Sequence, residues 1–209
     1  MGDVLVRQAN LSGWVSLVLD GELSGCHPFP RGSGTEVTIL MIMDTSYVVR
    51  AVLIGLGATL LIDLWALFLR RAFGIPSLSY CLLGRWVLYM PDGKLVHESI
   101  GASPRKPHEC PLGWTTHYLI GTALALLFVL LASGSWLERP TLLPALAFGI
   151  ATVLVPFLTL QPAFGLGVAA SKTPHPNKAR LKSLSTHTVF GLGLYLWAYL
   201  LNQMGFQAW

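Results

Sequence analysis

Charge is the scarcest commodity in this sequence: Asp, Glu, Lys and Arg make up 11% of its 209 residues, against 53% hydrophobic residues. A soluble domain usually carries about twice that charge. One this poor in it would expose too much apolar surface to stay dispersed. Cysteine is scarce too. Cys26, Cys81 and Cys110 are odd in number, widely spaced and without a CxxC, which argues against a disulfide framework and against a zinc site. No block of basic residues interleaved with aromatics appears, so nucleic acid is not an expected partner. No GxSxG, HExxH or P-loop occurs, and Gly165-Leu166-Gly167 and Gly191-Leu192-Gly193 read as packing or loop glycines.

What the sequence has instead is long apolar runs. Four are long enough to cross a bilayer, at about 48–69, 114–133, 141–160 and 184–204. The fold class is therefore an all-α membrane protein of four transmembrane helices, arranged as two similar hairpins. Residues 1–45 are rich in Ser, Gly and Pro and read as a poorly ordered tail. Met41 and Met43 stand as alternative starts just before the first span. The domain proper is 46–209.

The segment after span one divides in two. SLSYCLLGRWVLYM puts Leu78, Cys81, Leu82, Trp86 and Tyr89 on one face at helical spacing, the pattern of an amphipathic helix lying in the interface. Arg85 and Trp86 would anchor it, with lipid phosphate as the contact. PDGKLVHESIGASPRKPHEC is polar and rich in turn formers, so it is expected in water. In span three, Pro156 should kink the helix near its far end.

Of the fourteen Lys and Arg, ten fall in the loops after spans one and three and four lie on the other side. The positive-inside rule places loops 70–113 and 161–183 in the cytoplasm and both termini on the opposite side of the membrane.

The two halves share short stretches. His117-Tyr-Leu-Ile-Gly121 opens span two much as His187-Thr-Val-Phe-Gly191 opens span four. Gly57-Ala58-Thr59-Leu60-Leu61 in span one parallels Ile150-Ala151-Thr152-Val153-Leu154 in span three. An internal duplication would relate the halves by an axis along the membrane normal. Chance similarity between apolar helices is the competing explanation.

Asp63 is the one acidic residue inside a span and should face the bundle interior or water. Without their histidines, spans two and four would each run roughly 14 residues, about 21 Å, against a hydrocarbon core of ~30 Å. Both helices therefore extend back past His117 and His187. With Asp63 deeper and Gln161 at the end of span three, these four form a candidate polar cluster. Three uses are open: a proton relay, a metal site or a haem clamp. Against them stands a role in helix packing alone. The sequence commits to no metal and no cofactor. His97 and Glu98 are candidate loop residues; a metal shared with His108, Glu109 and Cys110 would need the loop to fold back on itself.

From about Ser46 to Leu201 the sequence resembles a family of uncharacterised small bacterial inner-membrane proteins, the domain-of-unknown-function family 2938. The resemblance rests on GATLLIDLW (57–65), LLGRW (82–86), HESI (97–100), GWTTHYLIG (113–121), PTLLPALAFG (140–149) and THTVFGLGLY (186–195). It implies a four-span membrane protein and carries no catalytic residue with it. The leading functional expectation is a non-enzymatic membrane protein handling protons or a small solute through Asp63, His117 and His187. The alternatives are a small membrane enzyme or cofactor-binding subunit, and an accessory protein binding a partner through its loops. The bilayer is the expected partner. Four spans enclose little lumen, so transport would call for a homodimer.

Overall fold

An apolar chain in a bilayer must satisfy its backbone polar groups internally, and helices do this within one segment. The protein's structure, a computed structural model, describes residues 45–132 and 134–205, and among these there are helices and no strands. The tail proposed for residues 1–45 lies largely outside the described residues, as do Cys26, Arg7 and Arg31. The helices are α1 (Thr45–Phe73), α2 (Tyr80–Tyr89), α3 (Glu109–Leu131), a short α4 (Gly134–Glu138), α5 (Leu142–Ala163) and α6 (Pro176–Gln203). Four of them, α1, α3, α5 and α6, are long and apolar enough to cross a membrane.

The boundaries depart from the sequence expectation at α6. The basic stretch expected as loop forms its opening turns, from Pro176 rather than from residue 184. Proline is pre-organised for the first helical position, where its missing N–H is not needed. Lys178, Ala179, Arg180, Leu181 and Lys182 then continue the helix as good helix formers. In α5 the regular helix ends at Ala151, and Pro156–Leu160 is π-helical before the chain tightens again at Gln161–Ala163. Pro156 cannot donate to the preceding turn, which is why the departure from regularity falls there.

α1 packs against α3 on one side and α6 on the other, and α6 packs against α5. Small residues let these backbones approach. Thr59 lies against Gly121, Ala58 against Gly193, and Gly149 against Gly191, with no room for a Cβ at any of the four glycines. The fourth side is different. α3 and α5 meet chiefly through Phe128 and Phe148, whose rings are 5.0 Å apart. Ile54, Ala58, Ala125, Phe128, Leu137, Phe190 and Leu194 form the main buried core.

α2 lies against the start of α3, and here two readings need correction. Cys81 and Cys110 are joined in a disulfide. Counting and spacing cysteines could not anticipate it, because the pairing depends on Gly84 and Gly113. A side chain at either would collide with the Glu109 or Tyr80 carbonyl of the opposite helix. Arg85, expected to reach lipid phosphate, is 5% exposed and fully engaged inside the protein. Its Nε and Nη2 donate to the two Glu109 carboxylate oxygens, each at 2.8 Å, and its Nη1 donates to the Ile100 and Ser103 carbonyls. The Glu109 carboxylate holds the guanidinium even more firmly protonated than usual. Trp86 Nε1 donates to the Leu95 carbonyl at 2.8 Å.

The polar loop that follows is partly folded in. Ile100 joins Leu83, Tyr89, Ala163 and Phe164 in a second apolar cluster. The His97 and Ile100 amides donate to the Ala163 and Phe164 carbonyls at 2.9 and 3.2 Å. Gly165 makes this docking possible: its φ is +85°, and a Cβ there would strike the Glu98 carbonyl. At the other end of the bundle, the buried Arg50 guanidinium donates to the Leu137 carbonyl at 2.7 Å and to Asn202 Oδ1. Asn202 Nδ2 donates to Leu137 and Glu138. One arginine thus ties α1, the α4 turn and the end of α6 together.

Candidate functional site

Because α3 and α5 stand apart, a chamber of about 550 Å³ opens between them, backed by α1 and α6 and closed over in part by α2. Its volume lies in the range of small-molecule sites. Much of the wall is apolar: Ile62, Leu124, Val155, Leu160 and Phe190 contribute to it. Ile75, Ser77, Leu78 and Leu166 extend the lining to the loop end that carries most of the basic residues.

His117, His187 and Gln161 all line this chamber. Asp63 lies behind His117. The four do not make one cluster, as the sequence suggested, but two separate polar sites on one cavity. In the first, His117 Nε2 meets Asp63 Oδ1 at 3.2 Å. Tyr80 donates to the same oxygen at 3.0 Å, and Tyr118 donates to Oδ2 at 2.9 Å. The His117 ring stacks on Tyr80 with centroids 3.9 Å apart. Burial, with the Asp63 carboxylate beside it, pushes the Tyr80 phenol well above its ordinary pKa, so it stays protonated and donates. An ionised carboxylate accepts only, so the His117 nitrogen facing it carries the proton. That leaves Nδ1 as the ring nitrogen not turned to Asp63.

The second site is on the α5–α6 side. Thr152 donates to the Gly149 carbonyl at 2.5 Å, and its Oγ1 stands 2.8 Å from His187 Nδ1. The hydroxyl proton is already committed, so His187 Nδ1–H donates to Thr152 and Nε2 is left as an acceptor. Gln161 Nε2 donates to Ser183 Oγ at 3.3 Å, and Gln161 Oε1 is buried without a partner.

His97 and Glu98 are not in the chamber lining. His97 is buried, with Nδ1 3.1 Å from Ser103 Oγ and the ring edge-on to Tyr89. Glu98 is exposed. Among the described residues no three His, Cys, Asp or Glu side chains stand close enough to share a metal ion.

Four participants escaped the sequence reading. Tyr118 directly follows His117 and carried that signal. Tyr80 lies on the amphipathic helix but drew no attention as a polar residue. Thr152 was noted only as part of the repeat. Lys182 was counted as one more loop charge, yet it lines the chamber.

The family model described as Protein of unknown function (DUF2938) matches residues 52–201. The chain belongs to that family. The match takes in both DUF2938 polar sites, the disulfide and the Arg85–Glu109 pair, and leaves Arg50 and Asn202 just outside. No curated protein and no solved structure matches this DUF2938 chain.

Proposed function

We propose that this is a bacterial inner-membrane protein that binds a small solute in the chamber between α3 and α5 and links that binding to a proton on His117. The observation that carries this reading is the double engagement of His117: its Nε2 is on Asp63, and its ring lines the chamber. An imidazole can take up or release a proton. A solute beside it shifts its proton affinity, and by reciprocity pH shifts the solute's affinity. The excess of Lys and Arg in loops 70–113 and 161–183 supports their cytoplasmic placement, with the termini periplasmic and α2 lying along the cytoplasmic interface. The hairpin pairs α1–α3 and α5–α6, each packed together, fit an ancient duplication. One chain encloses the chamber, so this reading does not require the homodimer.

Proteoliposomes holding a pH-sensitive dye test it against a panel of weak acids, weak bases and neutral solutes. The wild type should give a solute-dependent pH change that Asp63→Asn and His117→Gln both lose while remaining folded. An unchanged response in Asp63→Asn overturns the proton link.

A second reading rests on the same pair, since a carboxylate orienting an imidazole is also the unit of a general base. Solute conversion that disappears in His117→Gln, with binding retained, would select a membrane enzyme instead.

A further inference from the structure

The chamber's second polar site has unanswered groups, and their chemistry narrows the ligand. Lys182 lines the chamber from α6, next to Ser183 and one turn before Thr186. It forms no ion pair among the described residues. Its ammonium donates to the Pro76 carbonyl and carries further N–H donors. Among the described residues no Asp or Glu lines the chamber, and the Asp63 carboxylate is held behind His117, away from the α6 wall that carries Lys182. The field beside Lys182 is therefore biased positive.

Gln161 adds a second observation. One end of its amide is held by Ser183 and the other is buried and unmet. An unmet buried polar group costs roughly 1–3 kcal/mol. Lys182 gains from an anionic head, and Gln161 gains with its amide turned so that Oε1 accepts from the Ser183 hydroxyl and Nε2 donates to the ligand. The remaining wall of Ile62, Leu124, Val155, Leu160 and Phe190 gains from hydrocarbon.

We propose that the chamber binds an anionic amphiphile, a carboxylate or phosphate head on a hydrocarbon chain, with Lys182 as the head-group cation and Gln161 as its hydrogen-bonding neighbour. This rests on the chamber being a binding site, as proposed above, and adds the class of ligand. A cationic ligand would meet Lys182 with like charge. An uncharged hydrocarbon would leave it unpaired, and a wholly polar solute would leave the apolar wall unused. A free acid and an anionic lipid share the head-and-tail chemistry.

The test uses the full chain in phosphatidylcholine nanodiscs, with dansyl-labelled undecanoic acid as probe and its methyl ester as the uncharged control. The acid should bind saturably, and Lys182→Met should weaken it about tenfold or more, the effect of deleting a hydrogen bond to a charged group. Lys182→Arg should restore most of the affinity, and the ester should be weak and indifferent to both substitutions. Displacement by decanoate supports a free acid as the natural ligand, and displacement by lysophosphatidylglycerol alone supports a lipid. Equal binding of acid and ester, untouched by Lys182→Met, overturns the anionic class and leaves the chamber as a binding site. Binding of neither probe overturns both.

Discussion

Reducing the Cys81–Cys110 disulfide should loosen the α2–α3 corner without unfolding the bundle. The bond closes a loop of 29 residues. In the chain-entropy account, a loop of that length restricts the unfolded state by about 3.6 kcal/mol at 25 °C. That is an upper figure here, because a membrane protein unfolded in detergent keeps part of its helix and has less freedom to lose. The corner also has other ties: the bidentate Arg85–Glu109 pair and the glycine contact stay in place when the sulfurs part. The assay is SDS-induced unfolding of the purified chain with and without a phosphine reductant. The oxidised protein should resist more, by roughly 2–3.5 kcal/mol. Cys81→Ser/Cys110→Ser should match the reduced wild type under both conditions. Coincident curves for oxidised and reduced protein, or free alkylation of Cys81 and Cys110 in the untreated protein, would refute the reasoning. The same cysteines test the orientation. Cytoplasmic thiols are kept reduced, so if segment 70–113 faces the cytoplasm, acid-quenched cells should yield both as free thiols and oxidation should follow isolation. A disulfide already present in quenched cells places that segment in an oxidising compartment and reverses the topology read from the basic residues.

Arg85→Met should destabilise the fold by about 3–5 kcal/mol, since it leaves the Glu109 carboxylate buried without its partner. Adding Glu109→Leu should recover much of that loss, and a double-mutant cycle on SDS unfolding measures it; a double variant as unstable as the single one contradicts the account. Gly113→Ala should cost on the order of 1–3 kcal/mol by pushing α2 off α3, and non-reducing gels should show a smaller disulfide-bonded fraction. Arg50→Met should lower stability by about 1–3 kcal/mol, because Asn202 still answers the Leu137 carbonyl; proteolysis near residues 134–140 should rise with it, and unchanged cleavage would count against the knot.

The spans were legible because hydropathy over some twenty residues is a local property of the chain. Asp63 and the two histidines were legible for the same reason: a polar group in an apolar run stands out one residue at a time. What they touch was not. Asp63 binds Tyr80, which sits 17 positions on in another helix, and that meeting depends on how α2 folds back on α3. The α2 apolar stripe was visible, but its period cannot distinguish lipid from a protein neighbour. The sequence reading chose lipid, while Arg85 chose Glu109. The loop at 90–108 misled for a related reason. Turn formers and polar residues mark irregular backbone, and His97 and Ile100 are buried within irregular backbone.

The chamber itself follows from an asymmetry. Under the duplication read from the sequence, α1 corresponds to α5 and α3 to α6, so the α1–α6 interface has α5–α3 as its counterpart. The first is closed, with Gly193 on Ala58 and Trp197 on Gly57. The second is held open: the bulky Phe128 and Phe148 meet at one place, and beyond it α5 leaves the regular helical path at Pro156. Proline stands where the repeat has Asp63 in the other half, four residues past the matched threonines Thr59 and Thr152. On that correspondence one difference distinguishes the halves: a carboxylate that meets His117 in the first, and in the second a proline at which α5 leaves the regular helix. On that reading the departure from symmetry leaves the chamber open, with two differently engaged imidazoles beside it.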